Sequence, residues 1–396
     1  METTHRRLAL RSLLAGAIAL APACTHAASG DQTPPAAPAP PRTFQTEREV
    51  WATPFKSQAR SLTCWCFSTT SFLESEARRL GRGDFELSPM FTVYHEFLEK
   101  AQRHVRTHGS NRFNPGGLPH DVLHAVRRWG AVPRASYTGL LPPETQHDQF
   151  EMYAALDGLM SGVLKSGLEN PVSGRWVNGA FEAKWLDALR GTQDAYMGKP
   201  PTTVQHDGRT LTPRQFADEV LRLPLDDYVE ITSYSHLPFY GRGELLVPDN
   251  WMHQPVYNVS LDDFVRLIDH ALNGGFSVVF DVHISDAEFK DSANYVLGHD
   301  EEKGVHTTQD LRDTQFESWR SEDVHVEHAI GLAKDETGKR FYKAKDSNTP
   351  AGQKLSPWYN KEYFSVEFVR SRVLFVMVHK DGLPADIRSR LAVDRN

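Results

Sequence analysis

The feature that limits this chain most is its use of cysteine: three in 396 residues, two of them separated by a single tryptophan in SLTCWCFS. Cys64 and Cys66 cannot readily bridge, because residues i and i+2 do not meet the Cα and Cβ geometry of a disulfide. A disulfide scaffold is therefore excluded, and a conventional apolar core must hold the chain together. The composition allows one, with 40% of residues hydrophobic and 24% charged, an ordinary balance for a globular protein. The formal net charge of −7 is dispersed. No basic run is long enough to neutralise several phosphates, so no nucleic-acid partner is expected.

The start of the chain has three parts: basic residues (Arg6, Arg7, Arg11), an apolar run from Leu13 to Ala23, then small residues. That is the pattern of an export signal, with a run too short to span a bilayer comfortably. The expected organisation is a signal peptide over 1–27, a Pro/Ala-rich linker over 28–43 and a folded domain over 44–396. Cleavage after Ala23 or Ala27 fits, and a third reading makes Cys24 a lipid-modified N-terminus and hence a lipid anchor. The mature protein is expected in the periplasm or secreted, without a membrane span.

After Cys64 the pattern is helical. Trp65, Phe72, Leu73, Ala77 and Leu80 share one face, with Glu74 and Arg78 opposite. Cys64 opens this helix, where unpaired N–H groups and the positive end of the dipole favour a thiolate, the nucleophilic form. Cys66 points about 200° away around the helix, so the two thiols cannot face one cleft. The commonest fate of a free cysteine is that of a small buried hydrophobe, and Cys66 is expected to have it.

Gln58 stands six residues before Cys64 in TPFKSQARSLTCWCFS. This stretch resembles the papain-like cysteine peptidases, whose signature is Pro-x-Lys-x-Gln followed by Cys-Trp-x-Phe-Ser. The absence of a cysteine shortly before Cys64, where Ser61 stands, is similar to the bleomycin hydrolase and aminopeptidase C branch. So are HLPFY, VPDNW, YNV and LDDF between His236 and Phe264. The similarity runs from Ala52 to Ile387. It implies an α+β fold, with a helical half led by Cys64, an antiparallel β half and a cleft between them. It also implies Cys64 as nucleophile, with Gln58 and the Cys64 N–H as oxyanion donors. Trp65 lies beside the substrate.

The nucleophile needs an imidazole. EDVHVEHAIGLAKDETGKRFYKAKDSN reads as two strands around a Glu336-Thr337-Gly338 turn. The resemblance places the catalytic histidine at the start of the first strand, in His-x-hydrophobic context, which selects His328. It places the residue that orients this histidine at the end of the second, where Asp346 stands in place of asparagine. Asn348 is the alternative if the register slips by two. His325 competes with His328, since HVEH could offer two imidazoles to a metal. Along a strand, however, these two point to opposite faces and nothing completes a site. No metal and no organic cofactor is expected.

NPGGLPHDV reads as a Gly-Gly turn before a helix beginning near Pro119. The resemblance makes Gly116 and Gly117 a backbone edge against which a peptide lies. His328 is further from Cys64 than the papain signature allows, so a mainly helical insertion is expected over about 141–256. In the resembling branch the C-terminal tail enters the cleft and selects free N-termini, but here the end, HKDGLPADIRSRLAVDRN, is rich in arginine. The reading that follows is a cysteine peptidase, aminopeptidase or endopeptidase, with a peptide or protein substrate and oligomerisation open. A catalytically weak peptide-binding relative and a transglutaminase-like acyl transferase are the alternatives.

Overall fold

Helix α1 (Cys64–Arg79) is the spine around which the fold is built, and every residue from Trp65 to Ala77 is buried. The computed structural model describes residues 42–169, 172–177, 180–284, 294–298, 301–348 and 362–395. The expected signal peptide, Cys24 and all but the last two residues of the linker lie outside the described residues. No described helix is long and apolar enough to cross a membrane.

A helix buried on all sides must satisfy its own polar side chains. Ser68 Oγ donates to the Val326 carbonyl at 2.7 Å. Glu74, expected on an outer face, is wholly enclosed because Lys56 Nζ reaches it at 2.6 Å and the Leu87 N–H donates to it at 2.6 Å. That buried pair ties the loop carrying Gln58 to the helix. Removing one partner of such a pair costs about 3–5 kcal/mol.

Helix α2 (Pro89–Arg106) starts with Ser88 accepting from the Phe91 N–H and a proline at the first turn, a strong start signal. Helix α3 (Pro119–Trp129) also opens on proline and ends at Gly130, whose φ of 85° suits glycine. The region expected as an insertion holds α4 (Phe150–Glu169), α5 (Lys184–Met197) and two short hairpins ending at Leu211. From Tyr228 onward the chain joins the main sheet. Phe72, Phe97, Leu123, Leu156, Leu189 and Phe216 form the core of this helical half.

The sheet has ten strands: β1 (Phe44–Glu49), β2 (Tyr228–Thr232), β3 (Arg242–Glu244), β4 (Pro255–Asn258), β5 (Val278–Val282), β6 (Tyr295–Val296), β7 (His325–Asp335), β8 (Arg340–Lys345), β9 (Tyr363–Ser365) and β10 (Val373–His379). Their order is β6-β9-β8-β7-β5-β10-β2-β4-β3, with β1 also on β7. The central strand β10, VLFVMVH, is buried throughout, as a strand covered on both sides requires. Helix α6 (Leu261–Asn273) and the short helices Val366–Arg372 and Ala385–Leu391 supply Phe264, Leu267, Phe368 and Ile387 to a second core with Ile231, Phe280 and Val376 of the sheet.

Strand β7 changes neighbours along its length. Its first half, His325 to Ala329, pairs with β5, and its second half, Gly331 to Asp335, pairs with β1. A Cβ at Gly331 would lie 2.4 Å from the Arg48 carbonyl oxygen, so only glycine lets β1 approach there. The first half of β7 therefore faces the start of α1, and the site forms where the two meet.

Candidate active site

Cys64 is the first residue of α1 and half-buried, in a cleft that also exposes Gln58, Trp65, Gly116, Gly117, His325 and Asn348. The His325 imidazole lines the same cleft as Cys64, near enough to feel its charge, and its Nε2 lies 2.9 Å from Asp346 Oδ1. The same oxygen accepts the backbone N–H groups of Ser347 at 2.6 Å and Asn348 at 2.9 Å. Three donors on one carboxylate oxygen fix its position.

Burial alone would disfavour the His325 cation. The adjacent Cys64 charge and the bonds to Asp346, Cys64 and Glu327 override it and hold the imidazole well above the usual histidine range. Asp346 stands behind the ring.

Gln58 lies just before α1, and its N–H bonds the Ser347 carbonyl at 2.7 Å. Its side-chain Nε2 donates to Asn348 Oδ1 at 2.7 Å. An amide nitrogen carries two hydrogens, so one remains for an oxyanion in the cleft. Trp65 is held by its indole N–H on the Pro115 carbonyl at 2.9 Å. A Cβ at Gly117 would meet the Trp65 ring at 2.9 Å, and one at Gly116 would meet Asp249 Oδ2 at 1.8 Å. The ring leaves no room for a side chain at position 117, and one at position 116 would displace the Asp249 carboxylate.

No family model matches the chain. Aminopeptidase G of Lactobacillus delbrueckii subsp. lactis is 25% identical over 213 residues, covering 45% of this chain and 46% of that protein. The chain thus spans about half the length of the curated relative it matches. PepW from Lactobacillus rhamnosis HN001 superposes with a TM-score of 0.66 over 89% of this chain and 85% of that one, at 18% identity. Xylellain, a cysteine protease from Xylella fastidiosa, gives a TM-score of 0.37 at 11% identity, over 84% of this chain and 86% of that one.

The fold is papain-like, an α+β arrangement shared with PepW.

Within this papain-like frame the structure corrects one expectation. His328 does not reach the cleft. It is fully buried, with Nδ1 2.9 Å from Ser71 Oγ two turns down α1 and Phe72 edge-on to its ring. Burial, then the charges of Lys345 and Lys56, holds it well below the usual histidine range, so it is a neutral packing residue. The cause is register: His328 pairs with Lys345 across the hairpin, which brings Asp346 level with the residues before it. The sequence does contain the right candidate, in HVEH, and the two-face argument already showed that one of its imidazoles must leave the cleft.

Cys64, Gln58, Asp346, Trp65, Gly116 and Gly117 are brought around the cleft, and Asn348 joins them as Gln58's acceptor. Cys66 is fully buried, its sulfur 3.2 Å from the Pro89 carbonyl, and burial pushes its thiol up. The arginine-rich end of the chain packs away from the cleft: Ile387 and Leu391 join the core behind the sheet, and Arg266 of α6 binds Asp386 at 2.5 Å.

Sequence reading missed Glu327. This carboxyl is buried, with Oε1 3.3 Å from His325 Nε2, and its other oxygen has no partner among the described residues. Burial and the neighbouring Asp346 push it up to about 8, so near neutral pH it is largely protonated. His325, Glu327 and Asp346 place their donor atoms within 4.8 Å of one another, the chemistry of a divalent-ion site. The same atoms serve the hydrogen bonds of the imidazole. The one available signal was alternation, because two residues after a cleft histidine a strand returns to the same face.

Proposed function

We propose that this protein is an exported cysteine peptidase that hydrolyses peptide bonds through an acyl-enzyme on Cys64. The observation that carries the reading is the line Cys64, His325, Asp346, closed by the 2.9 Å bond from Asp346 to the imidazole. The Cys64 thiolate attacks the scissile carbonyl, and the oxyanion is met by the Cys64 N–H and the free hydrogen of the Gln58 amide. Such donors are worth about 3–4 kcal/mol each when aimed at the developing charge. The His325 cation then protonates the leaving amine, and the neutral ring takes a proton from the water that hydrolyses the thioester. Asp346 keeps the ring turned for both transfers. The pattern of the first 27 residues supports export, and similarity to an aminopeptidase supports action at peptide N-termini.

The test is labelling of the mature protein with an epoxysuccinyl inhibitor, the modified residue located by mass spectrometry, alongside release of new N-termini from peptides. Wild type is expected to be labelled on Cys64 alone, and at a much lower rate in His325→Ala. Absence of labelling in folded wild type would sink the reading.

A further inference from the structure

The cleft holds charged groups that the chemistry above does not use. Asp249 and Asp323 line it beside Gly116 and Gly117, and the Asp249 N–H donates to Asp323 Oδ2 at 3.3 Å. Behind them stands Asp281 of β5, fully buried, its carboxyl facing that of Asp323 with no other partner among the described residues. Its register partner is Val326, itself a cleft residue, and its charge is felt by Asp323, Asp249 and Cys64.

Among the described residues few donors reach this group. Asn114 Nδ2 bonds Asp249 Oδ1 at 2.9 Å, and the exposed Arg112 guanidinium reaches only 3.9 Å from the same oxygen. Gathering carboxylates away from water without a close cation is costly. Here the cost appears as retained protons: burial and then Asp249 push Asp323 up to about 8, and burial and then Asp323 drive Asp281 upward too. A cation entering from the cleft would replace those protons.

We propose that Asp249, Asp323 and Asp281 form a subsite for a positively charged nitrogen of the substrate, on the acyl side of the bond that Cys64 attacks. Two sources supply such a nitrogen, a free α-ammonium or the side chain of lysine or arginine. A peptide with its carbonyl at Cys64 and its backbone along Gly116 and Gly117 brings a neighbouring group against Asp249, which lies flat on Gly116. The proposal rests on the peptidase reading for the identity of the occupant and deepens it.

Binding to the Cys64→Ala protein, which cannot turn over, tests it apart from catalysis. The probes are acetyl-Arg-Ala-Ala-amide against its citrulline isostere, and Ala-Ala-Ala-amide against its N-acetyl form. In at least one pair the cationic member is expected to bind about tenfold more tightly. The pair that discriminates names the source. The ratio is expected to collapse towards one when Asp323→Asn, or separately Asp249→Asn, is added. Ratios near one in both pairs, no saturable binding of either cationic peptide, or a ratio that survives both substitutions would overturn the subsite. If Cys64 of wild type labels while the ratios are near one, only the subsite fails. If the ratios hold and Cys64 never labels, the peptidase reading fails and the subsite stands.

Discussion

His325 and His328 stand three residues apart on one strand, are both buried and titrate in opposite directions. His325 sits between a thiol and a carboxylate, so its cation is favoured despite burial. His328 meets a serine hydroxyl with two lysines nearby, so its cation is excluded. The difference shows that burial alone does not assign a buried imidazole its charge. The partners that the register brings to each ring do.

The sharpest way to break this comparison is to remove each ring in turn. His325→Ala should lower kcat/KM by about 10³-fold or more, with little change in the urea midpoint. His328→Ala should do the reverse: a change in kcat/KM within about tenfold, and a stability loss of about 1–3 kcal/mol from the lost bond to Ser71 and the vacated space. Steady-state kinetics beside urea unfolding decides it, and an exchange of the two phenotypes would return the base to His328.

Next in size is the group behind the ring. Asp346→Ala should cost about 10²-fold in kcat/KM, and Asp346→Asn clearly less, because the amide still accepts the imidazole N–H. Asparagine lacks the charge, however, so the alkaline limb of the pH–rate profile should move to lower pH in that variant. An unmoved limb would show that Asp346 acts through shape alone.

The two rings should also leave opposite marks on stability against pH. The raised His325 contributes stability that is fully present below its unfolded value of about 6.5 and lost as pH rises through its folded value. The depressed His328 contributes above about 6.5, and that contribution is lost as pH falls. Unfolding of His328→Gln between pH 5 and 7 should therefore show a flatter acid slope than wild type. Glu327 behaves like His325: its contribution is present below about 4.3 and lost as pH rises through about 8. Glu327→Gln should thus gain stability relative to wild type from pH 7 to 9, with a change in kcat/KM of only about fivefold or less.

The smallest effect belongs to the second thiol. Cys66→Ala should leave the labelling rate of Cys64 within about twofold and cost about 1 kcal/mol of packing. A larger fall in labelling would mean that the two thiols communicate through the first turn of α1.

What the sequence exposed and what it hid follow from the range of the interactions involved. Cys64, Gln58 and the glycines were readable because each role is set locally: a helix start, a fixed spacing before it, a turn that tolerates no Cβ. The choice between His325 and His328 was not, because it depends on how β7 lies against β8, and a strand buried on both faces has no polar alternation to fix that register. Glu327 and the Asp249, Asp281, Asp323 group escaped for a related reason. Each looks like an ordinary surface acid until strands far apart in the chain bring it inside. The helix starting at Pro119 was legible from the Gly-Gly turn before it, whereas the burial of Glu74 depended on a lysine in another segment.

The tie between Gln58 and Asn348 joins residues 290 positions apart. Closing so long a loop is a late event in folding, because its entropy is lost before its contacts are gained. The thiol at position 64 exists early in synthesis, but its base, the carboxylate behind that base and the wall that fixes Gln58 come from the last fifth of the chain. A chain interrupted before Asp346 would carry the nucleophile without the partners that activate it. Reactivity is therefore timed to completion, and a growing chain is shielded from its own chemistry by the order in which its parts arrive.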